Sequence, residues 1–163
     1  MTDISTRVHE LADLLLQRNF FLSTAESCTG GLIGHLLTNE PGSSAWYLGG
    51  VLAYSNSLKT KILGVDGDLL VKHGAVSSEC VLSMVKGVSG LTGSQVCIAV
   101  SGIAGPDGGT PDKPVGTVYI AWGGAGDFWW EKNIFSGDRL KIKFLTAQRS
   151  IEVLAKYLLK IES

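Results

Sequence analysis

The sequence has no run approaching the roughly 20 consecutive apolar residues needed to cross a bilayer, and Met1 to Arg18 alternates charged with apolar residues. A cytoplasmic protein without a membrane partner is expected. An excess of one charge is also lacking: 14 Lys and Arg are spread along the chain and the formal net charge is -1, which leaves no electrostatic footprint for nucleic acid. Cysteine is scarce. Residues 28, 80 and 97 form no CxxC pair, which excludes a disulfide framework and a zinc ribbon and implies reduced thiols. His9, His35 and His73 fall in three separate segments without HExxH spacing, so no metal site is expected.

What is present is 163 residues, 45% of them hydrophobic, enough for one well-buried core and too few for two ordinary domains; a single domain over 1–163 is expected. Residues 3–18 carry Ile4, Val8, Leu11 and Leu15 on one helical face, and 20–25 reads as a strand. A helix from Thr29 to Leu37 follows, stopped by Pro41 and Gly42. Trp46 to Tyr54 reads as a strand and Ser57 to Leu63 as a short helix closed by Gly64. Ser77 or Ser78 caps a helix with a Val81, Met84, Val85, Val88 stripe, and Val96 to Val100 reads as a buried central strand. Val115–Trp122 and Phe128–Phe135 flank a glycine-rich connection and should form an antiparallel hairpin. Leu140, Phe144, Ala147, Ile151, Leu154, Leu158 and Ile161 mark a long terminal helix capped by Asp138. The pattern predicts an α/β protein, a three-layer α/β/α domain with a mixed, mostly parallel sheet and a late antiparallel hairpin.

Twenty-one glycines gather in short clusters between apolar runs, where a backbone turns tightly or approaches a ligand. The first such cluster closes Thr24-Ala25-Glu26-Ser27-Cys28-Thr29-Gly30-Gly31, at a strand-to-helix turn. A serine there can project its hydroxyl beyond the sheet, and N–H groups at the helix start can hold an oxyanion or a phosphate. The alternative is that Ser27 or Thr29 only caps the helix. Cys28 is a rival nucleophile, since a helix N-terminus would depress its pKa.

A second segment, Tyr54-Ser55-Asn56-Ser57-Leu58-Lys59, ends a strand and begins a helix. If desolvated, Lys59 can act as a base, with Tyr54 donating a hydrogen bond or relaying a proton; the alternative leaves Lys59 and Lys61 solvated. Ser101-Gly102-Ile103-Ala104-Gly105-Pro106-Asp107-Gly108-Gly109 resembles a phosphate-cradling loop without the GK[ST] ending, and is otherwise a long turn stiffened by prolines. Arg139, in Phe135-Ser136-Gly137-Asp138-Arg139, is either a fork for phosphate or carboxylate or an ordinary surface arginine. Phe128, Trp129 and Trp130 on an edge strand are a candidate subunit interface, with a homo-oligomer, simplest as a dimer, weighed against ordinary core.

In order along the chain, AESCTGG (25–31), GSSAW (42–46), YSNSLK (54–59), HGAVS (73–77), SGIAGPDGG (101–109), KPVGTV (113–118) and FSGDR (135–139) resemble the C-terminal domain of the CinA competence/damage-inducible family, which also occurs as a stand-alone nicotinamide-nucleotide amidase. That resemblance implies hydrolysis of nicotinamide mononucleotide to nicotinic acid mononucleotide and ammonia in pyridine nucleotide recycling, without metal or organic cofactor. It implies Ser27 as nucleophile, Lys59 as base and Tyr54 assisting. Cys28, Thr29, Gly30 and Gly31 would hold the substrate together with Ser101, Gly102, Gly105 and Arg139. A different class of function, a non-catalytic nucleotide-binding or regulatory module, would use the same glycine loops without releasing ammonia.

Overall fold

The computed structural model describes residues 3–161, so the expected domain over 1–163 extends beyond the described residues at both ends. Its elements are α1 (Ile4–Arg18), β1 (Leu22–Glu26), α2 (Leu32–Thr38), a 3-10 turn (Ser43–Ala45), β2 (Tyr47–Leu52), α3 (Asn56–Leu63), α4 (Gly67–His73), α5 (Ser78–Thr92), β3 (Val96–Gly102), β4 (Thr117–Gly124), β5 (Asp127–Ile134) and α6 (Arg139–Lys160). The strands form one sheet in the order β2-β1-β3-β4-β5. β1 pairs parallel with β2 and with β3, while β4 runs antiparallel to both β3 and β5. Four strands therefore share one direction and β4 opposes them, a mixed, mostly parallel sheet with the hairpin at its far edge.

Strand alternation decides what each face can hold. Leu22, Val96, Ile98, Val100, Val118, Ile120 and Trp122 point toward one helical layer, where α1, α2 and α6 contribute Leu11, Leu15, Ile33, Leu37, Ile151 and Leu154. The opposite face presents Ala25, Cys97, Ala99 and Ala121, small side chains that let α5 approach with Val81, Met84, Val85 and Val88. Leu63 and Leu70 bring α3 and α4 into that layer. α5 crosses α3 at close range, since a Cβ on Gly87 would lie 2.0 Å from the Leu63 carbonyl oxygen.

Local chemistry explains most boundaries. Ser55, Ser77 and Asp138 cap α3, α5 and α6 by accepting from the amides of Leu58, Cys80 and Lys141. Gly64 ends α3 in the left-handed conformation. Differences from the sequence reading cluster at turns. The helix expected from Thr29 starts at Leu32, because Gly30 and Gly31 take φ values of 62° and 95°, outside helical space. The short helix α4, capped by Asp66, was not expected. Leu140 is exposed and Ile142 is buried in its place, since the first turn of α6 meets the glycine loop through Arg139, whose Nη1 donates to the Gly105 carbonyl.

Trp129 stacks near Trp122, with centroids 6.0 Å apart, and lies tilted against Tyr157 at 4.4 Å, so it packs on the core, whereas Phe128 and Trp130 are exposed. Among the described residues no helix is long and apolar enough to cross a membrane.

Candidate active site

The carboxyl ends of β2, β1 and β3 lie side by side, and their exits diverge: β1 leads to β2 on one side, while β3 leads to β4 on the other. Open α/β sheets place their ligand crevice at such a point. A cavity of about 280 Å³ opens here. Ser27 and Cys28 enter it after β1, Tyr54, Asn56 and Lys59 after β2, and Ser101 to Gly105, Asp107 and Gly108 at and after the end of β3. Arg139 comes from the start of α6, and Ala75 and Val76 complete a wall. Five segments scattered over more than 110 residues of sequence thus meet in one hollow. Lys113 ties two of its walls together, its Nζ donating to the carbonyls of His73 at 3.2 Å and Val76 at 2.6 Å.

Lys59 lies one turn inside α3, and because helical Cα–Cβ bonds tilt toward the N-terminus, its chain runs back over the strand ends. Nζ stands 2.9 Å from the Ala53 carbonyl, 3.0 Å from the Tyr54 carbonyl and 3.0 Å from Ser27 Oγ. The residue is 1% exposed and makes no ion pair among the described residues. Burial lowers its pKa from the ordinary lysine value, because charging an amine away from water is unfavourable. In the neutral form two N–H groups satisfy the two carbonyls, which leaves the nitrogen lone pair facing the Ser27 hydroxyl. This arrangement is that of a base hydrogen-bonded to an alcohol.

Ser27 is buried, and its amide donates to Val100 O, extending the β1–β3 ladder by one residue. Neither Ser27 nor Thr29 caps α2; the Glu26 side chain does. It is 2% exposed and accepts from the amides of Gly31, Ile33 and Gly34 and from Thr29 Oγ1. The helix-start amides are therefore spent on a protein carboxylate, not offered to a ligand. Gly30 donates to Ser27 O. Thr29, Gly30 and Gly31 do not line the cavity; they shape the turn behind it. Among the described residues, the amides of Cys28 and Thr29 donate to no other residue. Sequence reasoning passed over Glu26. Its signal was an acidic residue immediately before the serine, upstream of a helix whose N-cap position holds Gly31.

Cys28 lines the cavity, but desolvation pushes its thiol up to about 12, so the depression expected from a helix N-terminus does not occur. Tyr54 meets Lys59 only through its backbone carbonyl. Its exposed hydroxyl accepts from Arg139 Nη2 at 3.1 Å, while Arg139 Nη1 donates to Gly105 O at 2.6 Å. The arginine thus braces the walls of the cavity with part of its donor set. The amides of Ala104, Gly105, Asp107 and Gly108 engage no acceptor among the described residues, as an anion-binding loop requires.

The three histidines have separate partners: His9 meets Glu40, His35 approaches Asn39 and His73 faces Glu79. Among the described residues no group of three or more His, Cys, Asp or Glu is placed to hold a metal ion.

Residues 4–158 match the family model described as the CinA C-terminal domain. A CinA-like protein of Thermotoga maritima is 51% identical over 150 residues, covering 89% of this chain and 35% of that protein. The chain spans about a third of the length of the first CinA-like relatives it matches. A nicotinamide-nucleotide amidohydrolase PncC of Pseudomonas putida is 45% identical over 152 residues, which cover 93% of this chain and 95% of that one. Among solved structures, competence damage-inducible protein A of Klebsiella pneumoniae superposes with a TM-score of 0.95 at 34% identity, covering 99% of this chain and 100% of that chain.

Proposed function

The chain belongs to the CinA C-terminal domain family, and from that premise we propose that it is a hydrolase of pyridine-nucleotide metabolism that converts nicotinamide mononucleotide to nicotinic acid mononucleotide and ammonia. The observation that carries the chemistry is the buried Lys59 amine 3.0 Å from Ser27 Oγ, with its other two contacts on backbone carbonyls. The substrate rests on the likeness to the Pseudomonas putida amidohydrolase over nearly the full length of both chains.

In this mechanism Ser27 Oγ attacks the carboxamide carbon while its proton passes to neutral Lys59. The carbonyl π electrons move onto oxygen, and the amide of Cys28, whose residue lines the cavity beside Ser27, is the donor for that oxyanion. Collapse breaks the C–N bond as Lys59 returns the proton to the departing nitrogen, releasing ammonia and leaving an ester on Ser27. Water then attacks the ester and gives one proton to Lys59, which passes it to Ser27 Oγ as the acyl–oxygen bond breaks; the acid released loses its remaining proton to solvent, where ammonia takes one up. The pyridinium ring withdraws electrons from the carboxamide and assists the first attack. The unengaged amides of the 104–108 loop and the remaining Arg139 donors form the phosphate subsite.

The test is ammonia release by the purified chain from nicotinamide mononucleotide and from free nicotinamide. Release from the nucleotide, with a loss of about 10³-fold or more in Ser27→Ala, is expected. A folded parent that binds the nucleotide but releases no ammonia is a binding module. Unchanged turnover in Ser27→Ala removes the serine from the mechanism.

A further inference from the structure

We propose that Glu26 is a positioning residue for this reaction: its carboxylate sets the turn that carries Ser27 and its neighbouring amides, acting through Thr29 and the start of α2 and not by contact with substrate. The inference rests on the assignment of Ser27 as nucleophile.

The main chain of Glu26 is fixed to the sheet on both sides, paired with Leu52 and Val100, and its carbonyl accepts from Ala53 N at 2.9 Å. Its side chain closes on the far end of the same turn. Oε2 accepts from Thr29 Oγ1 at 2.6 Å, Gly31 N at 3.1 Å and Ile33 N at 3.1 Å, while Oε1 accepts from Gly34 N at 2.8 Å. Ser27 and Cys28 lie between these two anchorages. A buried carboxylate needs compensation, and among the described residues Glu26 forms no ion pair; backbone amides and one hydroxyl supply it.

An ordinary cap would come from the residue beside the helix, yet that position holds Gly31 at φ 95° with no side chain to offer. Capping from five residues upstream converts a helix cap into a clamp across the nucleophile turn. The same bonds also draw the α2 amides away from the cavity, so the oxyanion donor is the Cys28 amide inside the clamp. A displacement of about 1 Å at such a site costs on the order of 100-fold in rate.

Glu26→Gln keeps an acceptor for three donors but turns an NH₂ toward Gly34 N–H. Thr29→Val removes one hydroxyl bond with little change of shape, and Thr29→Ser restores it. The full chain and these variants are compared by kcat and KM for nicotinamide mononucleotide, by thermal midpoint, and by the rate at which a fluorophosphonate probe labels Ser27. In folded Glu26→Gln, kcat and labelling should fall about tenfold or more with KM within about twofold, Thr29→Val should fall several-fold, and Thr29→Ser should recover most of that loss. Parental kcat and labelling in folded Thr29→Val and Glu26→Gln, whatever their midpoints, would reduce Glu26 to a structural cap and overturn the proposal. If Glu26→Gln does not fold, the Thr29 pair decides. A parent that the probe labels but that leaves the nucleotide intact fails the substrate reading alone, and labelling still tests the clamp. A parent with no labelling at Ser27 overturns both.

Discussion

Lys59 has exchanged water for two carbonyls and a hydroxyl, and the sign of its pKa shift follows from that exchange. Only the neutral amine accepts a proton, so kcat/KM should rise with pH and level off below the ordinary lysine range. A flat profile from neutral to alkaline pH contradicts that role. Lys59→Arg should lose about 10²-fold or more in kcat, because guanidinium stays protonated. Linkage gives a second expectation. The folded pKa lies below the unfolded one, so the unfolded chain binds more protons between the two values and stability rises with pH across that window. Cys28 and Cys80, pushed up to about 12 and about 11, act oppositely above the ordinary thiol pKa. Because Lys59 also acts on both thiols, the comparison belongs in a Cys28→Ala, Cys80→Ala background, where subtracting the stability profile of Lys59→Met should leave the lysine's upward slope; a level difference sinks the depressed pKa. Sequence placed Lys59 among the candidates only through its segment and the family resemblance. Lysine composition favours exposure, and burial of this one depends on Ala53, Tyr54 and Ser27 closing around it from separate elements.

Periodic elements were legible and turns were not. The stripes of α1, α5 and α6 and the caps Ser77 and Asp138 follow directly from side-chain spacing and hydrogen-bonding chemistry. The start of α2 misled because Thr29 looks like a cap, whereas Glu26 reaches past it and Gly30 and Gly31 take left-handed backbone. Short α4 has too few turns to display a period. The α3–α5 crossing governs the site, since α3 carries Lys59. Gly87→Ala would press a methyl against the Leu63 carbonyl backbone, which cannot yield as a flexible side chain would. A loss of about 1–3 kcal/mol and a lower kcat are expected, measured by urea unfolding and ammonia release. Parental stability means that the helices separate without cost.

On the scale of the whole molecule, both helical layers rest on one sheet whose β1 and β3 are buried on both faces. Neither layer keeps a core without the other, so unfolding should be a single transition. Tryptophan fluorescence, dominated by Trp46, Trp122 and Trp129 in the α1–α2–α6 layer, should share its denaturant midpoint with far-ultraviolet circular dichroism. Separated midpoints contradict a shared core. The alternation of strands with helices makes this architecture readable in the sequence, including the hairpin signalled by Gly123, Gly124 and Gly126. What spacing could not supply was the meeting of residues 27, 59, 105 and 139 in one hollow, which follows from strand order. The order β2-β1-β3 becomes visible only in three dimensions.

The most direct measurement of the central claim is a ¹³Cε NMR titration of Lys59 in the intact chain, assigned by its loss in Lys59→Met. The expected midpoint lies below the model-peptide lysine value of about 10.4. A Lys59 resonance that titrates at or above that value describes a charged amine, unable to take the proton of Ser27.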